Sequence, residues 1–143
     1  MVIQNKVVTL QVKSITNYKQ LNIMKKQINI KEVSHEELSS FFSLATYGQP
    51  YWSVKVCPTK LTSSYDCRED IWADIILQGG TLQITDTEED KPYLVDYKAI
   101  LKGFSKAYDK CPKSMLRIET EEADAWDGFD VMQCILFGEV IYG

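Results

Sequence analysis

Functional groups dense enough to do chemistry fall into two acidic stretches, one histidine and four cysteines. Glu119, Glu121, Glu122, Asp124, Asp127 and Asp130 place six acids within twelve residues with no base among them, and Asp86, Glu88, Glu89 and Asp90 form a second acidic stretch. The second stretch has neither the spacing nor the loop glycine of an EF-hand calcium site. Cys57, Cys67, Cys111 and Cys134 contain no CxxC pair, and His35 is the only histidine, so the ligand spacing of a zinc site is missing. Gly79-Gly80 follows a predicted helix rather than a strand, which is the wrong order for a dinucleotide-binding loop. A Ser-His-Asp triad stays open, but no nucleophile elbow is present. Carboxylates act as an acid–base pair only where the fold sets their separation and burial, and spacing alone identifies no such pair. The expectation is a protein that is not an enzyme, with no catalytic residue, no metal ligand and no cofactor.

Asp124, Asp127 and Asp130 step by three along the last predicted helix, so they line a narrow strip. Like charges at that spacing cost a few tenths of a kcal/mol per pair, and a helix N-terminus offsets part of this by favouring anions. One reading is a solvated face. The other is a negative ridge shaped to occupy a basic groove on another protein, as a nucleic-acid strand would. Neutralising the three aspartates together is then expected to weaken binding and leave the domain folded. Trp52, Trp72 and Trp126 are expected in the core, and an exposed tryptophan beside the ridge would favour the interface reading.

These residues must be positioned by one domain. The chain has 143 residues, 45% hydrophobic and 25% charged, which suits one packed core and excludes disorder for its bulk. The longest apolar run, Val131 to Phe137, is broken by Gln133 and falls short of the roughly 18 residues of a membrane-spanning helix. Residues 1–31 hold six lysines and no acid, so the rest carries ten of the 16 basic residues and all 20 acids, a balance of −10. So acidic a body repels nucleic acid and suits a basic protein surface. Ordinary solubility is the competing account. An even cysteine count would allow two disulfides in an exported chain, but no signal-peptide pattern is seen. Free thiols in a cytoplasmic protein are expected, with Cys134 a small core residue.

Residues 1–23 are rich in Asn, Gln, Lys and β-branched side chains. They are expected to be a loosely attached tail or to precede a natural start at Met24, with a leading strand over Lys6–Val12 as the alternative. Residues 24–143 are expected to form a single α+β domain of short antiparallel strands packed with three to four helices. A short strand is expected at Gln27–Lys31. Ser34 and Glu37 make a capping box for a helix bearing Leu38, Phe41, Phe42 and Ala45, with His35 exposed in its first turn. Tyr51–Val56 reads as a strand. Asp66 to Glu69 open a second helix with Ile71, Trp72, Ile75 and Ile76 on one face, which Gly79-Gly80 stop. Thr81–Thr85 and Pro92–Val95 read as a hairpin around the acidic turn. Asp96 caps a third helix bearing Tyr97, Ile100, Leu101, Phe104 and Tyr108, closed by Cys111-Pro112. Met115–Glu119 reads as a short strand. A final helix is expected from about Glu121 to Phe137, burying Trp126, Phe129, Met132 or Gln133, and Leu136. Gly138 ends it, and Glu139–Tyr142 is expected as a last strand.

Two blocks carry a resemblance. One is Ile71-Trp72-Ala73-Asp74-Ile75-Ile76-Leu77-Gln78-Gly79-Gly80-Thr81-Leu82-Gln83-Ile84-Thr85-Asp86 with Glu88-Glu89-Asp90. The other is Ala123-Asp124-Ala125-Trp126 with the ending Gln133-Cys134-Ile135-Leu136-Phe137-Gly138-Glu139-Val140-Ile141-Tyr142-Gly143. Over roughly residues 27–143 the chain resembles an uncharacterised family of small acidic proteins carried on mobile elements of gut bacteria. The resemblance transfers no catalytic residue. It implies a setting of phage, plasmid or conjugative-element accessory proteins, where anti-CRISPR and antirestriction proteins are found, some of them nucleic-acid mimics. The leading expectation is a non-enzymatic inhibitor of a host defence nuclease that binds a basic protein surface through its acids, with no direct contact to nucleic acid or membrane. The alternatives are an immunity or antitoxin-like protein bound to a cognate toxin, and a small-molecule-binding domain.

Overall fold

The computed structural model describes residues 32–48 and 51–143. The expectations for residues 1–23 and for a strand at Gln27–Lys31 lie outside the described residues. Val33–Gly143 forms one compact unit. Its elements run α1 (His35–Thr46), β1 (Trp52–Val56), α2 (Arg68–Leu77), β2 (Leu82–Asp86), β3 (Lys91–Val95), α3 (Tyr97–Lys110), α4 (Pro112–Glu119) and α5 (Ala125–Phe137). This is an α+β arrangement of five helices and a three-stranded antiparallel sheet.

Local chemistry sets most of the boundaries. The Ser34 hydroxyl accepts the Glu37 N–H and the Glu37 side chain accepts the Ser34 N–H, so the capping box opens α1. The Asp96 carboxylate accepts the Ala99 N–H at 2.9 Å and opens α3. At α2 the N-cap is Cys67, not Asp66. Its side chain makes no cap hydrogen bond, because its thiol donates to Glu69 Oε1 at 3.0 Å. Gly138 ends α5 in the left-handed conformation, φ 81°, and its N–H reaches the Cys134 carbonyl.

The sheet has the order β1-β2-β3, with Trp52 opposite Asp86, Val54 opposite Ile84, and Leu82 opposite Val95. Leu82, Ile84, Trp52 and Val95 are buried on one face, while Ser53, Lys55 and Leu94 on the other are exposed. That is the alternation of a sheet packed on one side only. Its buried face meets α5: Trp52 packs on Phe129 and Phe137 with ring centroids 5.5 and 6.1 Å apart, and Tyr93 meets Phe137 edge-on at 5.5 Å.

Helix α5 is the centre of the domain, in contact with α1, α3 and α4. Two glycines allow this. A Cβ on Gly128 would lie 2.7 Å from the backbone of Leu44 and Ala45 in α1, and a Cβ on Gly103 of α3 would lie 2.5 Å from the Ile135 Cα. Around these crossings Phe41, Phe42, Ile100, Phe129, Val131 and Met132 are fully or nearly fully buried, each large side chain contributing about 1.5–3 kcal/mol.

Three expectations are corrected. Met115–Glu119 is not a strand but the body of α4: Cys111-Pro112 does close α3, but Pro112 also occupies the first turn of the next helix, where its missing N–H costs nothing. Helix α5 begins at Ala125, since Glu121 adopts φ 61°, which a helix does not accommodate. Glu139–Tyr142 is not a strand. The tail lies against the fully buried Gln133, whose Oε1 accepts the Ile141 and Tyr142 N–H groups at 2.8 and 2.7 Å. One side-chain amide thus does for these donors what a neighbouring strand would have done.

Replacing Gly128 or Gly103 with Ala forces backbone apart at a helix crossing. Each variant is expected to lose about 1–3 kcal/mol of stability, measured by urea unfolding followed by circular dichroism.

Candidate functional site

Asp124 and Asp127 form a second capping box. The Asp124 carboxylate accepts the Asp127 N–H at 3.1 Å and the Asp127 carboxylate accepts the Asp124 N–H at 3.0 Å. Asp127 is buried and also accepts from Arg117 Nε and Ser114 Oγ of α4, both at 2.9 Å. Burial pushes its carboxyl up, but the hydrogen bonds from the Asp124 N–H, Arg117 and Ser114 more than offset this and hold it below its ordinary value. Asp130 fares otherwise. It is half-buried and accepts only a longer bond, at 3.4 Å, from the Ser114 hydroxyl that also donates to Asp127 at 2.9 Å. Burial, reinforced by the neighbouring charges of Asp127 and Asp124, raises its carboxyl above the ordinary value.

The three aspartates are therefore not a uniform solvated strip. Asp124 is exposed at the helix start, Asp127 is an internal clamp between α4 and α5, and Asp130 faces the interior in part. The expectation that all three can be neutralised without harm to the fold is corrected by these hydrogen bonds. Glu119 is exposed and accepts the Tyr108 hydroxyl of α3. Glu121 and Glu122 are exposed in the turn before α5.

The second acidic stretch is also divided. Asp86, at the end of β2, is 1% exposed. It accepts the Tyr142 hydroxyl at 2.6 Å and the Glu88 N–H at 2.9 Å, so it anchors the tail and the hairpin turn. Only Glu88, Glu89 and Asp90 face solvent. The bond to Asp86, with burial, raises the Tyr142 hydroxyl well above its ordinary value.

Between the two stretches runs a set of aromatic rings. Phe129 meets Tyr142 in stacked orientation at 6.4 Å, Tyr51 at 4.6 Å and Trp126 edge-on at 5.9 Å. Trp52 and Trp72 are core residues as expected, but Trp126 is 57% exposed. It sits in the first turn of α5, before Gly128 brings the helix against α1. Sequence periodicity placed it inside because it shares a spacing of three with Phe129; only the position of the helix start distinguishes the two.

His35 is half-buried rather than fully exposed. It stacks on Tyr65 at 4.4 Å, and its Nε2 lies 3.1 Å from the Asp70 carbonyl. Ser39, Asp70 and His35 are brought together, but the Ser39 hydroxyl donates to Asp70 at 2.6 Å rather than to the imidazole. The cluster ties α1 to α2 and lacks the serine-to-histidine hydrogen bond that activates a nucleophile. Among the described residues no group of three or more His, Cys, Asp or Glu could hold a metal ion. A cleft of about 390 Å³ opens beside Trp52, Trp72, Arg68 and Thr87, and the buried Trp52 indole N–H has no hydrogen-bond partner. No helix among the described residues is long and apolar enough to cross a membrane. No protein-family model, curated protein or solved structure matches the chain.

The two inner aspartates predict opposite mutational effects. The depressed Asp127 carboxyl contributes stability that is full above the ordinary aspartate value near pH 4 and is lost as pH falls through its lower folded value. The raised Asp130 carboxylate opposes folding at neutral pH, and that opposition disappears as pH falls through its folded value. Asp127→Asn is expected to cost about 1–3 kcal/mol at pH 7 and to weaken the fall of stability in acid. Asp130→Asn is expected to leave the melting temperature unchanged or raise it. Thermal unfolding from pH 3 to 7 checks both.

Proposed function

We propose that this domain is a non-enzymatic binding protein that docks on a basic protein surface through the face around Trp126. The observation that carries this reading is an exposed tryptophan at the start of α5 beside the exposed carboxylates of Glu121, Glu122 and Asp124. A large amphipathic ring on a rigid helix supplies the kind of anchor that dominates binding energy. Surrounding acids steer a basic partner and reject nucleic acid. Glu88, Glu89 and Asp90 extend the charge beyond the Tyr142 side of the ring set. In the mobile-element setting implied by the resemblance, the partner is a host defence nuclease of the CRISPR or restriction type, met in the cytoplasm, and the bound domain inhibits it.

A second reading, a small-molecule-binding domain, is favoured by the cleft beside Trp52, Trp72 and Arg68. An immunity or antitoxin-like role uses the same face with a toxin as partner.

The test is a panel of purified CRISPR effectors and restriction nucleases, with binding measured by calorimetry and inhibition by DNA cleavage. A partner of the proposed kind binds the domain and loses cleavage activity. Trp126→Ala weakens that complex by about 2 kcal/mol, roughly 30-fold in Kd, at unchanged melting temperature. Glu121→Lys with Glu122→Lys slows association and reduces its salt dependence. Full affinity in the Trp126→Ala variant would sink the proposed face, and no binding across the panel would move weight to the toxin and small-molecule readings.

A further inference from the structure

Cys111 and Cys134 are far apart in sequence, yet the fold places their sulfurs 3.7 Å from one another. We infer that this pair is an oxidisable dithiol, a modification site at which a peroxide converts two thiols into one intramolecular disulfide. The inference is independent of the proposed binding face.

Both cysteines sit on hydrogen-bonded backbone. Cys111 is the hinge between α3 and α4: its N–H donates to the Ala107 carbonyl at 2.8 Å, its carbonyl accepts the Met115 N–H at 3.2 Å, and Pro112 follows it. Cys134 lies in the last turns of α5, and its carbonyl accepts the Gly138 N–H at 3.0 Å. The two sulfurs already touch, and a disulfide needs about 2.05 Å between them, a gap that side-chain rotation and a small backbone shift can close. Cys111 is half-buried and Cys134 is 1% exposed, so an oxidant reaches Cys111 first and Cys134 is the sulfur beneath it. The other two thiols differ: Cys67 is exposed and donates to Glu69, and Cys57 is half-buried.

The chemistry balances in two steps. The Cys111 sulfur attacks one peroxide oxygen, the O–O bond breaks, and a sulfenic acid and one water form. The Cys134 sulfur then attacks the Cys111 sulfur, the S–O bond breaks, and the second water leaves with the Cys134 proton. Two thiols and hydrogen peroxide give one disulfide and two waters, with two electrons passing from sulfur to oxygen. Burial, then the neighbouring Cys134, pushes the Cys111 thiol up to about 12, and burial raises the Cys134 thiol as well. Thiolate is scarce at neutral pH, so the pair resists mild conditions and reacts slowly with peroxide. Once formed, the bond pins the α3–α4 corner to the central helix and constrains the unfolded chain.

The experiment uses the full chain with Cys57→Ser and Cys67→Ser, reduced and then treated with hydrogen peroxide, alongside the unaltered protein. The expected product is a monomer 2 Da lighter, with no thiol titratable after denaturation, a linked peptide pair containing Cys111 and Cys134, and full reversal by dithiothreitol. Its melting temperature rises by about 10 °C over the reduced form. In the further Cys111→Ser variant, the Cys134 thiol stays unreacted over the same period. Accumulation of sulfinic or sulfonic acid at Cys111, disulfide-linked dimers, or two thiols surviving prolonged excess peroxide at a pH raised towards that of the Cys111 thiol, with the fold intact by circular dichroism, would each overturn the inference.

Discussion

The fold depends on how closely α5 can be approached. Its neighbours α1 and α3 come near enough only because Gly128 and Gly103 present no Cβ at the crossings. Once α5 is enclosed on those sides, with α4 and the sheet against it as well, polar groups on its inward faces have no route to water. Two such groups, Asp127 and Gln133, are buried, and a buried polar group left unpaired costs more than a hydrogen bond returns. Asp127 takes its partners from α4 and from its own helix start, and Gln133 takes the backbone of the tail. The attachment of α4 and of the tail therefore follows from enclosing the central helix.

This constraint also divides the acids. Sequence counts them alike, but the fold spends Asp86 and Asp127 on internal hydrogen bonds and turns Asp130 partly inward, while Glu121, Glu122, Asp124, Glu88, Glu89 and Asp90 stay at the surface. A carboxylate held by three or four donors is a structural part with a lowered proton affinity. The same group one turn on, with only the longer Ser114 bond and beside two like charges, has a raised one. Spacing along a helix cannot separate the cases, because Arg117, which donates to Asp127 and not to Asp130, and the Ser114 hydroxyl, which lies closer to Asp127, come from a different element.

What the sequence made legible was what short-range chemistry controls. The capping residues Ser34 and Asp96, the hairpin from Leu82 to Val95, the glycine stop at Gly138 and the buried stripe of α1 all follow from neighbours within a few residues, and the α+β class follows from their order. Misreadings came where a local signal had two meanings. Pro112 both ends one helix and starts the next. Met115–Glu119 is short and apolar at Met115, Leu116 and Ile118, a pattern that fits a strand or one face of a short helix. Asp124-x-x-Asp127 is a capping box with Asp in place of the usual Glu or Gln, so in sequence it resembles a charge pattern as much as a helix start. A helix start shifted by a few residues is enough to decide whether Trp126 faces the core or solvent.

The surface around Trp126 is not a property of one segment. Trp126 leans on Phe129, Phe129 on Tyr142 and Tyr51, and the Tyr142 hydroxyl ends on Asp86 of β2. Tyr142 is held in turn because Gln133 fixes the tail backbone, and the Tyr51 carbonyl receives the Thr87 N–H at the hairpin. Helix, tail, the turn before β1 and the hairpin each supply one contact of the set. A peptide carrying residues 119–130 alone has the acids and the tryptophan but nothing to hold the ring at a fixed angle to them. Binding energy drawn from an ordered aromatic anchor therefore requires the whole domain, whereas attraction from charge alone does not. The affinity of the folded domain relative to that peptide measures how far recognition depends on the architecture rather than on composition.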